Sequence, residues 1–275
     1  MKACGSGFDH DEWASAEPAP PPDDRGALSV SDALTLVGVD RVPLSEQIAT
    51  RLIAIIGQDG LRPGDGLPSE ARLAATFGVS RPVVREALRH LAALRVIKLT
   101  NGRTAEVLPV TSDLLGVYFR WAVRQDVKNA LELQELRVGI ESMSAGLAAK
   151  RAGAEQVESL QRLVRQMRSC LDDTERYVEL DTRLHLMIVS ATGNSLARHL
   201  TQSMSDPMRA VIEAGLAGIR LDPKSLEEMQ EGHEAIVDAI AEGDVARARA
   251  VMEEHLVLAL ERMTLAGVSD LPCSV

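Results

Sequence analysis

Large rings are scarce in this 275-residue chain, where Phe, Tyr and Trp together make up 3%. A core without them must be packed by aliphatic side chains. Ala, Leu, Val and Arg dominate the long stretches, and hydrophobic residues reach 45%. That composition predicts mostly helical structure. Cysteine is also rare: Cys4, Cys170 and Cys273 lie far apart with no C-x-x-C pairing. A disulfide framework and a cysteine-based zinc site are thereby excluded. No apolar run approaches the roughly 18–20 residues needed to cross a bilayer. The N-terminus lacks the basic-then-apolar layout of a signal peptide, since Asp9, Asp11 and Glu12 come early, so a cytoplasmic protein is expected.

Positive charge is short as well, with a formal net charge of −10. The deficit is uneven. Residues 40–110 carry ten Lys+Arg against seven Asp+Glu, a balance of +3. A locally basic segment on an acidic chain can hold a nucleic-acid site, because binding depends on charge near the phosphates.

The length favours two domains. Residues 1–38 contain Glu17-Pro-Ala-Pro-Pro-Pro-Asp-Asp24, which cannot build a core and reads as a disordered tail. Pro43, Leu44, Ile48, Leu52, Ile55 and Ile56 then recur at helical spacing, and this helix ends before Gly60. The turn-rich stretch 61–68 connects it to a short helix capped by Ser69 and stopped by Gly78. A basic helix follows from Ser80, with Pro82 in its first turn, where a missing N–H costs little. Val83, Val84, Ala87, Leu88 and Leu91 form its apolar face, and Arg81, Arg85, Arg89 and His90 form the opposite one. Residues 96–100 and 103–107 read as strands joined by a two-residue turn, Asn101-Gly102. From residue 111 onward the pattern is helical, with helices expected near 112–124, 127–151, 154–171, 174–191, 195–217, 223–242 and 244–265.

Helix, short helix, glycine turn, basic helix and hairpin, in that order, describe a winged helix-turn-helix at residues 39–110. A recognition helix needs one face to dock on its own domain and a cationic face for the major groove. Arg81 and Arg85 lie four apart on one such face. The competing reading is a small α/β domain with a solvated arginine face. The fold expected overall is mainly α: the winged domain, then an all-α helical-bundle effector and dimerisation domain at 111–268.

These residues also carry a resemblance. Leu67-Pro-Ser-Glu70, Leu73-Ala74, Phe77-Gly-Val-Ser-Arg81, Val84-Arg-Glu-Ala-Leu-Arg89 and Leu91 resemble the winged-helix domain of GntR-family bacterial transcription regulators. The resemblance implies that operator DNA is contacted by Arg81, Arg85 and the wing residues Asn101, Gly102 and Arg103. Ser69, Arg72, Ser80, Pro82 and Arg89 complete the expected DNA-facing set. Ala71 stands where many members carry Arg, with Arg72 displaced by one, and Pro82 stands where a Thr often contacts phosphate. The phosphate contacts are therefore expected to be rearranged.

In the helical half, Asp181 and His185 are four apart and share a helix face. His233 and His255 lie in two later helices. If those helices return antiparallel, one carboxylate and three imidazoles converge, a set that suits a divalent first-row ion. Taken singly, each of the four also reads as structural or solvated. Residues 125–262 resemble the effector domain of the FadR subfamily, on Glu135-Leu-Arg137 with Glu141, Asp181-x-x-x-His185, Gly193-Asn194, Gly232-His233 and Glu254-His255. The resemblance implies that Asp181, His185, His233 and His255 hold zinc, with nickel or manganese as alternatives. It also implies a small carboxylate or sugar-acid effector at Arg137 and Asn194. Arg137 alternatively pairs with Glu141 one turn on.

Together these readings describe a homodimeric, ligand-responsive regulator, most simply a repressor, of double-stranded operator DNA, with no membrane partner. Two other functions stay open here: a helical dimerisation module with a structural metal, and a metal-dependent enzyme. No H-E-x-x-H base motif supports the enzyme, and it leaves residues 42–108 unexplained.

Overall fold

The computed structural model describes residues 42–126, 128–216 and 223–265; the tail expected at 1–38 lies outside the described residues. The first helix, α1 (Leu44–Gln58), buries Ile48, Ala49 and Leu52. In α2 (Glu70–Phe77) the Ser69 hydroxyl accepts the Arg72 N–H, and Gly78 ends the helix at φ 67°, its N–H returning to the Ala74 carbonyl. A side chain at Gly78 would meet the left-handed penalty of roughly 1–2 kcal/mol. The third helix, α3 (Arg81–Ala93), has Pro82 in its first turn and buries Val84, Ala87, Leu88 and Leu91. Those four pack with Ile48, Leu52, Leu73, Ile97 and Val107 in one hydrophobic cluster. Each fully buried Leu, Ile or Val there contributes about 1.5–3 kcal/mol.

The wing is shorter than its sequence suggests. Strands β1 (Ile97–Lys98) and β2 (Glu106–Val107) pair antiparallel as Ile97 with Val107 and Lys98 with Glu106. The expected turn is present, since the Arg103 N–H bonds the Thr100 carbonyl across Asn101-Gly102, but the ladder stops before reaching it. Segment 64–67, read as a plain connector, bonds β2 from the other side: Gly64 N–H to the Val107 carbonyl, Val107 N–H to that of Asp65, and Leu67 N–H to that of Ala105.

After α3 the backbone of Arg95 takes φ 58°, the one positive φ outside glycine among the described residues. Its guanidinium reaches Asp113, with Nη2 at 2.7 Å. Seven helices follow: α4 (Asp113–Gln125), α5 (Lys128–Arg151), α6 (Ala154–Arg168), α7 (Thr174–Ala191), α8 (Ser195–Leu216), α9 (Pro223–Ala241) and α10 (Val245–Leu265). Helix α6 ends three residues before its expected limit, the Ser169 N–H turning back to Gln166 and Met167. Close approach of α5 and α10 depends on small residues. Ala145 and Ala148 are fully buried, and a Cβ on Gly146 would stand 3.2 Å from the Val245 carbonyl oxygen. The helical core gathers Leu160, Leu163 and Met167 of α6, Tyr177, Leu184 and Ile188 of α7, Ile236 of α9 and Leu256 of α10. Among the described residues no helix is long and apolar enough to cross a membrane.

Candidate metal centre and nucleic-acid interface

Three helices bring the predicted ligands together. On α7, Asp181 and His185 project from consecutive turns; α9 brings His233 and α10 brings His255. One ligand atom from each of the four lies within 4.8 Å of the others. The three imidazole rings are mutual neighbours, with centroids 5.6, 5.5 and 4.3 Å apart. All three histidines are buried, and Asp181 is nearly so. Bond lengths of about 2.0–2.2 Å to a common ion place ligand atoms roughly 3–4.4 Å apart; the observed cluster is close to that spacing.

The directions of the nitrogens separate a ligand set from an ordinary buried polar network. His233 Nε2 stands 2.9 Å from Asp181 Oδ1, and His185 Nε2 stands 3.8 Å from the same oxygen. The first contact has the length of a hydrogen bond but not its direction, and Nε2 is sealed from solvent without an acceptable partner. A buried polar atom left unbonded costs about 1–3 kcal/mol, whereas a lone pair aimed beside a carboxylate suits a cation. Gly232 is shaped to the same end. A Cβ there would lie 2.9 Å from His255 Nδ1, so only glycine admits the ring in its place. The donor set therefore fits a divalent ion.

Electrostatics keep the ligands in the required states. Burial pushes His233 below the usual histidine range, against the pull of Asp181. Burial, followed by the neighbouring His233 and His185, pushes His255 further down. Both shifts favour the neutral ring, the form that can donate a lone pair to a metal ion. Burial would raise the carboxyl of Asp181, yet His233, His185 and His255 together hold it well below the usual range.

A ring of supporting groups surrounds the four. Glu141 of α5 is wholly buried; its Oε2 lies 2.5 Å from His185 Nδ1 and its Oε1 accepts from Arg137 Nε at 2.8 Å. Burial alone would raise this carboxyl, but Arg137 and His185 bring it down to about 2. Arg137 also donates through Nη1 to Gln134 Oε1 at 3.0 Å, and Gln134 in turn bonds the Leu256 carbonyl. The intrahelical pairing weighed from the sequence is therefore formed. The hydroxyl of Tyr177, buried on α7, sits 3.1 Å from His233 Nδ1. Asn194 is engaged elsewhere: its Oδ1 accepts the Ala197 N–H at 3.1 Å and so caps α8.

In the winged half, Ser69, Arg72, Ser80, Arg81, Pro82, Arg85, Arg89, Asn101, Gly102 and Arg103 are all exposed. Gly102 forms the wing tip at φ 74°. Arg85 does not stand free, because Glu70 of α2 takes its Nε and Nη2, the latter at 2.8 Å. Arg85 first, then Arg81 and Arg89, hold the Glu70 carboxyl below its ordinary value, so three guanidiniums surround one carboxylate on this face. Glu70 was not singled out in the sequence, and its only signal was membership of the Leu67-Pro-Ser-Glu70 motif.

A basic winged helix-turn-helix joined to a helical domain with a buried ligand-type cluster defines a class, the ligand-dependent DNA-binding regulator. Residues 44–107 match the profile described as bacterial regulatory proteins, gntR family, and residues 132–258 match the FCD domain. The chain is 31% identical over 201 residues to the HTH-type transcriptional regulator LutR of Bacillus subtilis, covering 71% of this chain and 90% of that protein. It is 30% identical over 199 residues to the galactonate operon transcriptional repressor of Escherichia coli, covering 69% and 84%. The solved structure of Streptococcus agalactiae GntR superposes with a TM-score of 0.62 at 25% identity, covering 79% of this chain and 99% of that one. The chain belongs to the GntR family of bacterial regulatory proteins and carries an FCD domain. It is a DNA-binding transcriptional regulator, not an enzyme.

Proposed function

We propose that this regulator is a homodimeric repressor, released from or retained on its operator by a small hydroxy or sugar acid bound beside a metal ion in the helical domain. Asp181, His185, His233 and His255 hold the ion, with zinc first and nickel or manganese as alternatives. Bound there, the ion supplies a Lewis-acidic anchor for a carboxylate and an adjacent hydroxyl. The observation that carries this reading is the convergence of the four ligand atoms within 4.8 Å. Arg137 supports the acid: its hydrogen bonds to Glu141 and Gln134 use Nε and Nη1, which leaves Nη2 to donate a charge-assisted hydrogen bond to a ligand oxygen. Asn194, capping α8, belongs to the same proposal as a secondary contact. Relatives named for galactonate and for an L-lactate dehydrogenase operon add chemical support.

Operator contacts are assigned to Arg81, Arg85 and Arg89 in the major groove and to Asn101, Gly102 and Arg103 at the wing. Ser69, Arg72, Ser80 and Pro82 lie toward the backbone. We retain the division into a reading domain at 39–110 and an effector domain at 111–268, acting in the cytoplasm on double-stranded DNA. Dimerisation is supported by α4, which exposes Leu114, Val117, Tyr118 and Trp121 at i, i+3, i+4 and i+7, the stripe of a helix made to be covered.

A second reading, a structural ion without effector, is favoured by the occupation of Arg137 by Glu141. Elemental mass spectrometry of the purified chain and of Asp181→Ala decides the metal. About one ion per chain, lost in the variant, is expected; none in either protein sinks the metal site. Operator retention on DNA, measured with and without galactonate or lactate, separates the two readings.

A further inference from the structure

We propose that Tyr177 is a positioning residue of the metal centre: its hydroxyl, 3.1 Å from His233 Nδ1, holds that ring so that Nε2 is presented to the ion. This rests on the metal reading above. Tyr177, Asp181 and His185 recur every four residues on α7 and so form one stripe of that helix. The tyrosine is 1% exposed, and the phenol oxygen meets the ring on the side away from Asp181. If the ring proton sat on Nε2, it would be a buried donor with no acceptor in line. With the proton on Nδ1, it donates to the phenol oxygen and leaves a bare lone pair on Nε2, 2.9 Å from the Asp181 oxygen.

The neighbouring ring follows the same rule. Glu141 holds His185 by Nδ1, and His185 Nε2 faces the same Asp181 Oδ1. Two rings are thus gripped from outside by oxygen acceptors, one charged and one neutral, with both Nε2 atoms turned inward. A partner on the outer nitrogen fixes ring tautomer and orientation, and its loss typically weakens metal binding about 10–100-fold. Sequence gave no reason to choose Tyr177, because a buried tyrosine on a helix reads as packing.

Tyr177→Phe tests this with one atom removed. The full chain is stripped with a chelator, and Co²⁺ affinity is measured by competition alongside the visible absorption of the bound ion. The expected result is 10–100-fold weaker binding and an altered absorption envelope. Affinity within twofold of the unmodified chain, with an unchanged spectrum, overturns the proposal. An unmodified chain that takes up no Co²⁺ overturns the metal reading itself, and this assignment with it. Should the variant not fold, ¹⁵N NMR of the Zn²⁺-loaded unmodified chain decides: a proton on His233 Nδ1 supports the assignment, and one on Nε2 refutes it.

Discussion

Gly232→Ala adds one methyl group at the point where α9 passes closest to His255. The new Cβ would stand 2.9 Å from His255 Nδ1, 3.6 Å from Cγ and 3.8 Å from Cβ. Ordinary contact begins near 3.4 Å, so the ring must retreat by about half an ångström. Ligand distances tolerate only about ±0.2 Å. The ring is buried among His185 and His233, and a retreat takes its donor atom out of bonding range. Metal affinity should therefore fall by at least 10–100-fold, as for other misplaced ligands. Helix propensity runs the other way, since Ala is favoured over Gly by about 1 kcal/mol in a helix interior, while overpacking costs about 1–3 kcal/mol. Gly139→Ala is the matched control, because that helical glycine has nothing within 4 Å of its added Cβ. It should raise thermal stability by about 1 kcal/mol and leave Co²⁺ binding untouched. Isothermal titration with Co²⁺ and calorimetric unfolding of all three proteins give both readouts. Unchanged metal affinity in Gly232→Ala would refute the argument that glycine is required by the His255 ring.

Other expectations concern different parts of the molecule. Arg85→Ala should weaken operator binding roughly tenfold, as for loss of one bidentate base contact, with dimer and fold intact; equal affinity at physiological salt removes Arg85 from the interface. Glu70→Gln frees that guanidinium and removes a negative charge, so binding to random DNA should rise while the operator-to-random ratio falls. A ratio that holds or rises shows that Glu70 does not orient Arg85. Glu141, at about 2 when folded against an ordinary 4.5, contributes stability above its unfolded value that is lost as pH falls toward 2. The amount is on the order of 3 kcal/mol, so acid unfolding of Glu141→Gln should take up one proton fewer between about pH 5 and 2. An identical acid slope contradicts the buried charge. Trp121→Glu should shift the chain from dimer to monomer in sedimentation velocity, and a persistent dimer moves the interface off α4.

Local signals were legible in the sequence wherever one element sufficed. The i,i+4 spacing of Asp181 and His185 fixed a shared face, and Gly78 gave a helix stop that the backbone realises at φ 67°. Pro82 marked the start of α3 for the same local reason. Chain-distant partners were beyond such reading. Glu141 and His185 are 44 residues apart, and Tyr177 and His233 are 56 apart, so their pairing depends on how α5, α7 and α9 stack. The wing shows the reverse error. The hairpin reading predicted strands at 96–100 and 103–107, but only Ile97–Lys98 and Glu106–Val107 pair, and the outer edge of β2 is bonded by residues 64–67, a third partner invisible to a window that reads the hairpin alone. The cap that Asn194 Oδ1 gives to α8 is likewise a local signal, since Gly193-Asn194 directly precedes the first helical residue.

Arg95 sits between the end of α3 and β1, held at φ 58°, with its side chain on Asp113 at the start of α4. A left-handed arginine stores about 1 kcal/mol, and a solvent-exposed ion pair offsets that only weakly. Signals between ligand and DNA sites typically amount to about 1–3 kcal/mol. The strain and the exposed ion pair at Arg95 are each of that same small size, so a change of about 1 kcal/mol is enough to make or break the tie between the end of α3 and the start of α4.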